Sequence, residues 1–150
     1  MKIRATTRND IAPLQRVLDG TGLFPAEMLP EMISGALDSR DIWLTVETEG
    51  AVVGFCYAAA EDLADGTWNM RAIAVLPAQQ GGGHGRALVH HLEEMLKQAG
   101  QRIIIVDTSG TDEFAQTRRF YQQNGYHEEA RIRDFWAAGD DKIVFWKSLT

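Results

Sequence analysis

Gly81-Gly82-Gly83, with Gly85 just beyond, stand between a segment that reads as a strand and one that reads as a helix. Upstream, Thr67–Val75 is rich in β-formers and ends at Leu76-Pro77, because proline lacks the N–H that continues a ladder. Downstream, Arg86–Ala99 carries Leu88, Leu92, Met95, Leu96 and Ala99 at i, i+4, i+7, i+8 and i+11, the pattern of an amphipathic helix that Gly100 closes. The glycines let the backbone curl and bring successive N–H groups to one point. The first turn of the helix adds unpaired N–H groups and the positive end of its dipole. Together these predict an anion site, for which phosphate is the commonest guest. The alternative is a flexible strand-to-helix turn with no ligand.

Two common phosphate loops are excluded. A Walker loop needs Gly-Lys-Ser/Thr, and Gly85 is followed by Arg86-Ala87. A dinucleotide fingerprint needs G-x-G-x-x-G; counted from Gly81 the last position is Arg86, and counted from Gly83 it is Leu88.

The remaining segments predict one domain over residues 1–150. Lys2–Ala5 opens as a strand, and Ile11, Leu14, Gln15 and Leu18 follow with helical period until Gly20 and Gly22. A second helix is expected from Pro25 to Leu37, on Met28, Met32, Ile33 and Leu37. A meander of Ile42–Glu47, Val52–Ala60 and Thr67–Val75 follows, turning at Glu49-Gly50 and between Asp62 and Gly66. The run Ile103-Ile104-Ile105-Val106 suits a central strand covered on both faces. It should pair in parallel with Thr67–Val75 through a right-handed crossover. Glu113–Asn124 reads as a helix ended by Gly125, and strands at Glu128–Trp136 and Lys142–Leu149 flank the turn Ala137–Asp141. The order β-α-α-β-β-β-α-β-α-β-β is α+β, with a mixed, mostly antiparallel sheet flanked by helices.

Composition narrows the function classes. Fifteen basic against twenty-one acidic residues leave a net charge of −6, so a nucleic-acid footprint is not expected, whereas a cationic substrate is allowed. No apolar run reaches the ~18 residues of a membrane span. Met1–Thr6 does not read as a signal peptide, and the lone Cys56 cannot form an internal disulfide; both fit a cytoplasmic protein with no membrane association.

Gln80-Gly81-Gly82-Gly83-His84-Gly85 resembles the Q/R-x-x-G-x-G/A signature of the GNAT superfamily of N-acetyltransferases. The strand ending Ile73-Ala74-Val75-Leu76-Pro77, the opening Ile3-Arg4-Ala5-Thr6 with Asn9-Asp10-Ile11, and Phe120-Tyr121-Gln122-Gln123-Asn124-Gly125-Tyr126 are similar to other parts of that family at matching spacing. The resemblance implies acetyl-CoA as co-substrate, and no metal. Its pyrophosphate would sit on backbone N–H groups of Gln80, Gly81, Gly82, Gly83, His84, Gly85 and Arg86. Ile73, Ala74 and Val75 would hold the pantetheine arm as an added strand, admitted where Thr67–Val75 and Arg102–Val106 splay apart. Tyr121 matches the tyrosine that faces the thioester sulfur. Its hydroxyl can donate to the departing thiolate, since its own pKa of ~10 lies above a thiol's. The implied reaction is acetyl transfer to a primary amine of a small molecule or peptide by direct attack in a ternary complex. The rival is a CoA- or acyl-CoA-binding module without catalysis. The family's habit implies a homodimer, with the exposed face of the last strands as its seam.

The sequence departs from the family at two places. Phe114 stands where many relatives carry an asparagine that contacts the cofactor, and Asp107-Thr108-Ser109-Gly110 offers polar replacements. Trp68-Asn69-Met70-Arg71 has no carboxylate where many relatives place the general base, leaving Glu61, Asp62 or a water relay as candidates.

Each candidate has a structural alternative. Tyr121 also reads as a core tyrosine beside Phe120 and Tyr126, and His84 as an exposed loop histidine. His90-His91 with Glu93-Glu94 is not a His-Glu-x-x-His zinc motif. Cys56, between Phe55 and Tyr57, reads as a buried inert thiol. Asp140-Asp141 reads either as turn residues or as carboxylates attracting a cationic amine. Phe24, Trp43, Trp68 and Trp136 divide between core, expected for most, and an acceptor pocket.

Overall fold

A computed structural model of the chain describes residues 1–36 and 39–150. The β-forming segments become β1 (Lys2–Ala5), β2 (Ile42–Thr48), β3 (Ala51–Ala60), β4 (Thr67–Val75), β5 (Ile103–Ser109), β6 (His127–Ala137) and β7 (Asp140–Ser148). They form one sheet in the order β1-β2-β3-β4-β5-β7-β6. Only β4 and β5 run parallel; the other neighbours are antiparallel. The helices are α1 (Ile11–Thr21), α2 (Leu29–Ala36), α3 (His84–Gln98) and α4 (Ala115–Gln123).

Helical period decides which face each helix covers. On α1 and α2, Leu14, Val17, Leu18, Leu29 and Ile33 pack on Trp43, Phe55, Ala72 and Ala74. On α3, Leu88, Val89, Leu92 and Leu96 pack on the opposite face, against Val46, Cys56, Met70, Ile104, Val106 and Phe145. Each such apolar side chain contributes about 1.5–3 kcal/mol when fully buried.

Several boundaries differ from the sequence reading. α1 runs through Gly20 and closes only at Gly22, whose left-handed backbone (φ 66) a helix C-terminus favours. The stretch after Pro25 begins as a short 3₁₀ turn, Ala26–Met28, before α2, and Leu37 lies outside the described residues. β5 extends through polar Asp107, Thr108 and Ser109 because β7 pairs with it as far as Lys142. The Ile103–Val106 run is fully covered on one face and partly on the other. Ile104 and Val106 lie buried under α3, whereas Ile103 and Ile105 on the other face are half-buried. The final turn shrinks to Ala138-Gly139, since β7 already begins at Asp140.

Two irregularities shape the centre of the sheet. Tyr57 pairs with Ala72 and Ala58 with Met70, which leaves Arg71 as an unpaired bulge in β4. The β4–β5 ladder consists of Thr67↔Ile103, Trp68↔Ile104 and Asn69↔Ile105 and then stops. Beyond it β4 follows β3 to Val75, while β5 follows β7 to Ser109. The two strands therefore part, and among the described residues β4 from Met70 to Val75 has no strand paired on its β5 side.

Candidate active site

A cleft of about 530 Å³ lies at this gap, within the range of small-molecule sites. Ile73, Ala74 and Val75 line it from the open edge of β4, and Gln80, Gly81, Gly83, His84, Gly85 and Arg86 from the turn. Tyr121 lines it from α4. Of the residues expected to hold acetyl-CoA, together with Tyr121, all but Gly82 line it.

The turn's conformation follows from its residue types. Gly81 and Gly83 have φ of 85 and 81, left-handed values that strain any other residue. Gly82 leaves room for the His84 ring, which a Cβ there would meet at 2.9 Å. Contrary to expectation His84 is buried, with Nδ1 3.1 Å from the Gln79 carbonyl, because it opens α3 rather than lying in the loop. The first bond of that helix runs from Ala87 N–H to the Gly83 carbonyl at 3.0 Å, so the N–H groups just before it are available to a guest. Gln80 plays a different part from its neighbours. Its N–H donates to the Pro77 carbonyl (3.3 Å), and its side-chain amide donates to the Val75 carbonyl (3.0 Å), tying the turn to β4.

Tyr121 is a core tyrosine, as one of its readings has it, and it also borders the cleft. Its ring packs against Phe145 (5.4 Å between centroids), Phe120 (5.4 Å) and Tyr126 (5.9 Å). Burial, with a smaller contribution from Cys56, holds its pKa above the ordinary tyrosine value. That shift favours the protonated phenol. The end of α4 is pinned by the Tyr126 hydroxyl donating to Glu93 (2.7 Å), by Lys147 donating to Glu93 (2.9 Å), and by the Tyr126 N–H donating to the Tyr121 carbonyl (3.0 Å). Cys56 is fully buried, and burial pushes its thiol up to about 12, so it is no nucleophile.

Other candidates are engaged within the protein. Asp140 accepts from the Ser109 hydroxyl (2.5 Å), and Asp141 accepts from Arg131 (2.6 Å) and the Asp134 N–H (3.0 Å). Arg118 donates to the carbonyls of Ser109 (2.8 Å) and Thr111 (2.7 Å). Phe114 does not line the cleft, but Gln116 and Thr117 do. Trp43 and Trp68 are core and Phe24 is half-buried, whereas Trp136 is exposed on β6, an edge strand exposed along its whole length. His90 and His91 are exposed; among the described residues no three His, Cys, Asp or Glu side chains converge as a metal site would require.

A polar cluster at the end of the β4–β5 ladder was not assembled from the sequence. Asn69 Nδ2 donates to Glu61 Oε1 at 2.9 Å and reaches Asp107 Oδ2 at 3.4 Å. Lys142 Nζ is 3.4 Å from the same Asp107 oxygen and 4.3 Å from the centroid of the Phe135 ring. Asn69 is only 7% exposed, and neither its Oδ1 nor Asp107 Oδ1 has a hydrogen-bond partner. The available signal was an asparagine between Trp68 and Met70 in an otherwise apolar strand.

A family model described as an acetyltransferase (GNAT) domain matches residues 39–128. Among solved structures, a protein assigned to the GNAT family of acetyltransferases from Desulfovibrio desulfuricans matches with a TM-score of 0.92 and 28% identity, covering 99% of each chain. An aminoglycoside 6′-N-acetyltransferase complexed with coenzyme A matches with a TM-score of 0.86 and 18% identity, over 100% of this chain and 98% of that one. The ribosomal-protein-S18-alanine N-acetyltransferase of Escherichia coli matches with a TM-score of 0.83 and 18% identity, over 99% and 94%. At 18% identity the last two bear on the fold alone. A search of curated proteins gave no match. Among the described residues no helix is long and apolar enough to cross a membrane.

Proposed function

The chain belongs to the GNAT family of acetyltransferases, and from that membership we propose that it transfers the acetyl group of acetyl-CoA to a primary amine of a small molecule or peptide. The observation that carries the reading is the parting of β4 and β5 beyond Asn69 and Ile105, beside the available N–H groups of Gly81–Arg86 and with Tyr121 in the same cleft. The pyrophosphate of acetyl-CoA lies on the glycine turn, where backbone N–H groups and the α3 dipole meet its charge. The pantetheine arm runs along the open edge of β4 past Val75, Ala74 and Ile73. An N–H of that edge polarises the thioester oxygen. The amine attacks the carbonyl carbon, the C–S bond breaks, and Tyr121 gives its proton to the leaving thiolate. The aminoglycoside and ribosomal-protein acetyltransferases of the same fold act on amines, which agrees with an amine acceptor here.

The test is a calorimetric titration with acetyl-CoA, with ATP as control, followed by thiol release in the presence of primary amines. Tyr121→Phe should keep acetyl-CoA affinity and lower turnover on the order of tenfold or more. Unchanged turnover removes Tyr121 as the acid, and binding of acetyl-CoA without turnover of any amine makes the protein a binding module.

A further inference from the structure

We propose that the Glu61–Asn69–Asp107 cluster is where the acceptor docks as an ammonium, and that Asp107 accepts the proton released by the attacking nitrogen. The proposal rests on the acetyl-transfer reading and assigns it the base that the sequence left open.

Strand alternation places the cluster. Trp68 and Met70 of β4 and Ile104 and Val106 of β5 pack in the core beneath α3. Asn69 and Asp107 therefore face the opposite side of the sheet. Asn69 stands in the last rung of the β4–β5 ladder, and Asp107 lies two residues past its partner Ile105, beyond the end of that ladder. Tyr121 belongs to the α3-side core. The opening between the strands thus has a proton donor on one face and two carboxylates on the other. A thioester threaded through it has its sulfur toward Tyr121 and its carbonyl carbon open to attack from the Asp107 side.

The unfilled hydrogen-bonding capacity states what is missing. The atoms without partners, Asn69 Oδ1 and Asp107 Oδ1, are both acceptors, so the ligand they suit is a donor. Asn69 is more than nine-tenths buried, and its amide is oriented by donating to both carboxylates. A buried oxygen without a partner has lost its water and gained nothing in exchange, and a bound donor restores the bond. Charge points the same way. Among the described residues Lys142 is the one cation paired with Asp107, at 3.4 Å, and none is paired with Glu61, so a bound ammonium would add a partner that Glu61 lacks. A primary ammonium brings that charge and three N–H donors, whereas an alcohol brings one donor and no charge.

The protons balance. R–NH₃⁺ and CoA–S–COCH₃ yield R–NH–COCH₃, CoA–SH and one proton. The docked ammonium gives its first proton to solvent, and the neutral amine forms the N–C bond. The nitrogen then carries positive charge and is strongly acidic, so its next proton passes to Asp107. The C–S bond breaks, Tyr121 protonates the sulfur, and the proton on Asp107 returns to the tyrosinate through solvent.

The experiment measures acetyl-CoA affinity by calorimetry, and thiol release with spermidine, kanamycin and a peptide with N-terminal alanine, for the wild type and for Asp107→Asn. The variant should keep acetyl-CoA affinity and lose about a hundredfold in kcat/KM for every amine that the wild type acetylates, with kcat lowered and KM raised. Asp107→Glu should restore part of it. Glu61→Gln should raise KM with a smaller effect on kcat, and it serves as the second variant if Asp107→Asn does not fold. Variants within about twofold of the wild type overturn the proposal and leave acetyl transfer standing. Acetyl-CoA binding without acetylation of any of the amines overturns the proposal while keeping the cofactor site. Failure of the wild type to bind acetyl-CoA overturns the acetyl-transfer reading itself.

Discussion

Gly54→Ala tests whether the open edge of β4 is held in place by close packing from β3. Gly54 pairs with Val75, and a Cβ built on it meets the Ala74 carbonyl oxygen at 2.7 Å and the Val46 and Val75 methyl carbons at 3.1 Å. The methyls can turn a few tenths of an ångström. The carbonyl belongs to the backbone of β4 and must withdraw by roughly 0.7 Å to reach ordinary contact. Overpacking of this kind costs about 1–3 kcal/mol, and a backbone atom puts it in the upper half of that range. The alanine restricts the unfolded chain, which returns about 0.4–1 kcal/mol. The net loss is about 2 kcal/mol, or a fall in melting temperature of about 4–8 °C for a chain of this size. Gly35→Ala is the control. It makes the same chemical change on α2, where a Cβ meets nothing within 4 Å. Helix propensity there gives a gain of up to about 0.5–1 kcal/mol. Thermal melts followed by circular dichroism read both variants, and calorimetry reads acetyl-CoA affinity, which should fall for Gly54→Ala alone. Equal melting temperatures for Gly54→Ala and the wild type would refute the steric reasoning.

Arg4 donates to both oxygens of Asp10 (2.7 and 2.8 Å), which holds its carboxyl below the usual range, and the Thr7 N–H adds to this. A carboxyl lowered on folding stabilises above its unfolded pKa of ~3.9, and that contribution is lost as pH falls through the folded value. Asp10→Asn should therefore be less stable than the wild type by about 2 kcal/mol at pH 7, with the difference closing in acid; a gap that is constant from pH 7 to 2 would contradict it. Cys56, fully buried and raised to about 12, should resist iodoacetamide at pH 8 in the native protein and react once unfolded, as mass spectrometry can follow. Lys147→Met removes the cation from Glu93, which is 4% exposed, and should cost about 2 kcal/mol in denaturant unfolding; Lys147 is itself partly exposed, which keeps the loss below that of a fully buried pair. The double variant with Glu93→Leu should recover much of that loss.

Local pattern carried much of this protein. The glycine turn was legible because backbone with φ above 80 at Gly81 and Gly83 is written in residue type. The α3 stripe and the β2–β4 meander were legible because burial repeats at the period of the element. Tyr121 could be singled out by its motif, and the structure adds that this core ring also lines the cleft.

What tertiary structure decided lies in relations between distant segments. The polar end of β5 is a strand because β7 pairs with it, and nothing in Asp107-Thr108-Ser109 announces that partner. His84 is buried because α3 starts there, two residues earlier than its apolar period shows. The β4–β5 ladder stops at Asn69 because each strand follows a different neighbour. That parting brings Glu61, Asn69, Asp107 and Lys142, drawn from four strands or strand ends, to one spot. A sequence specifies its periodicities residue by residue, whereas a gap between strands and a shared unfilled acceptor exist only once long-range pairing has chosen which carboxylate stands beside which amide.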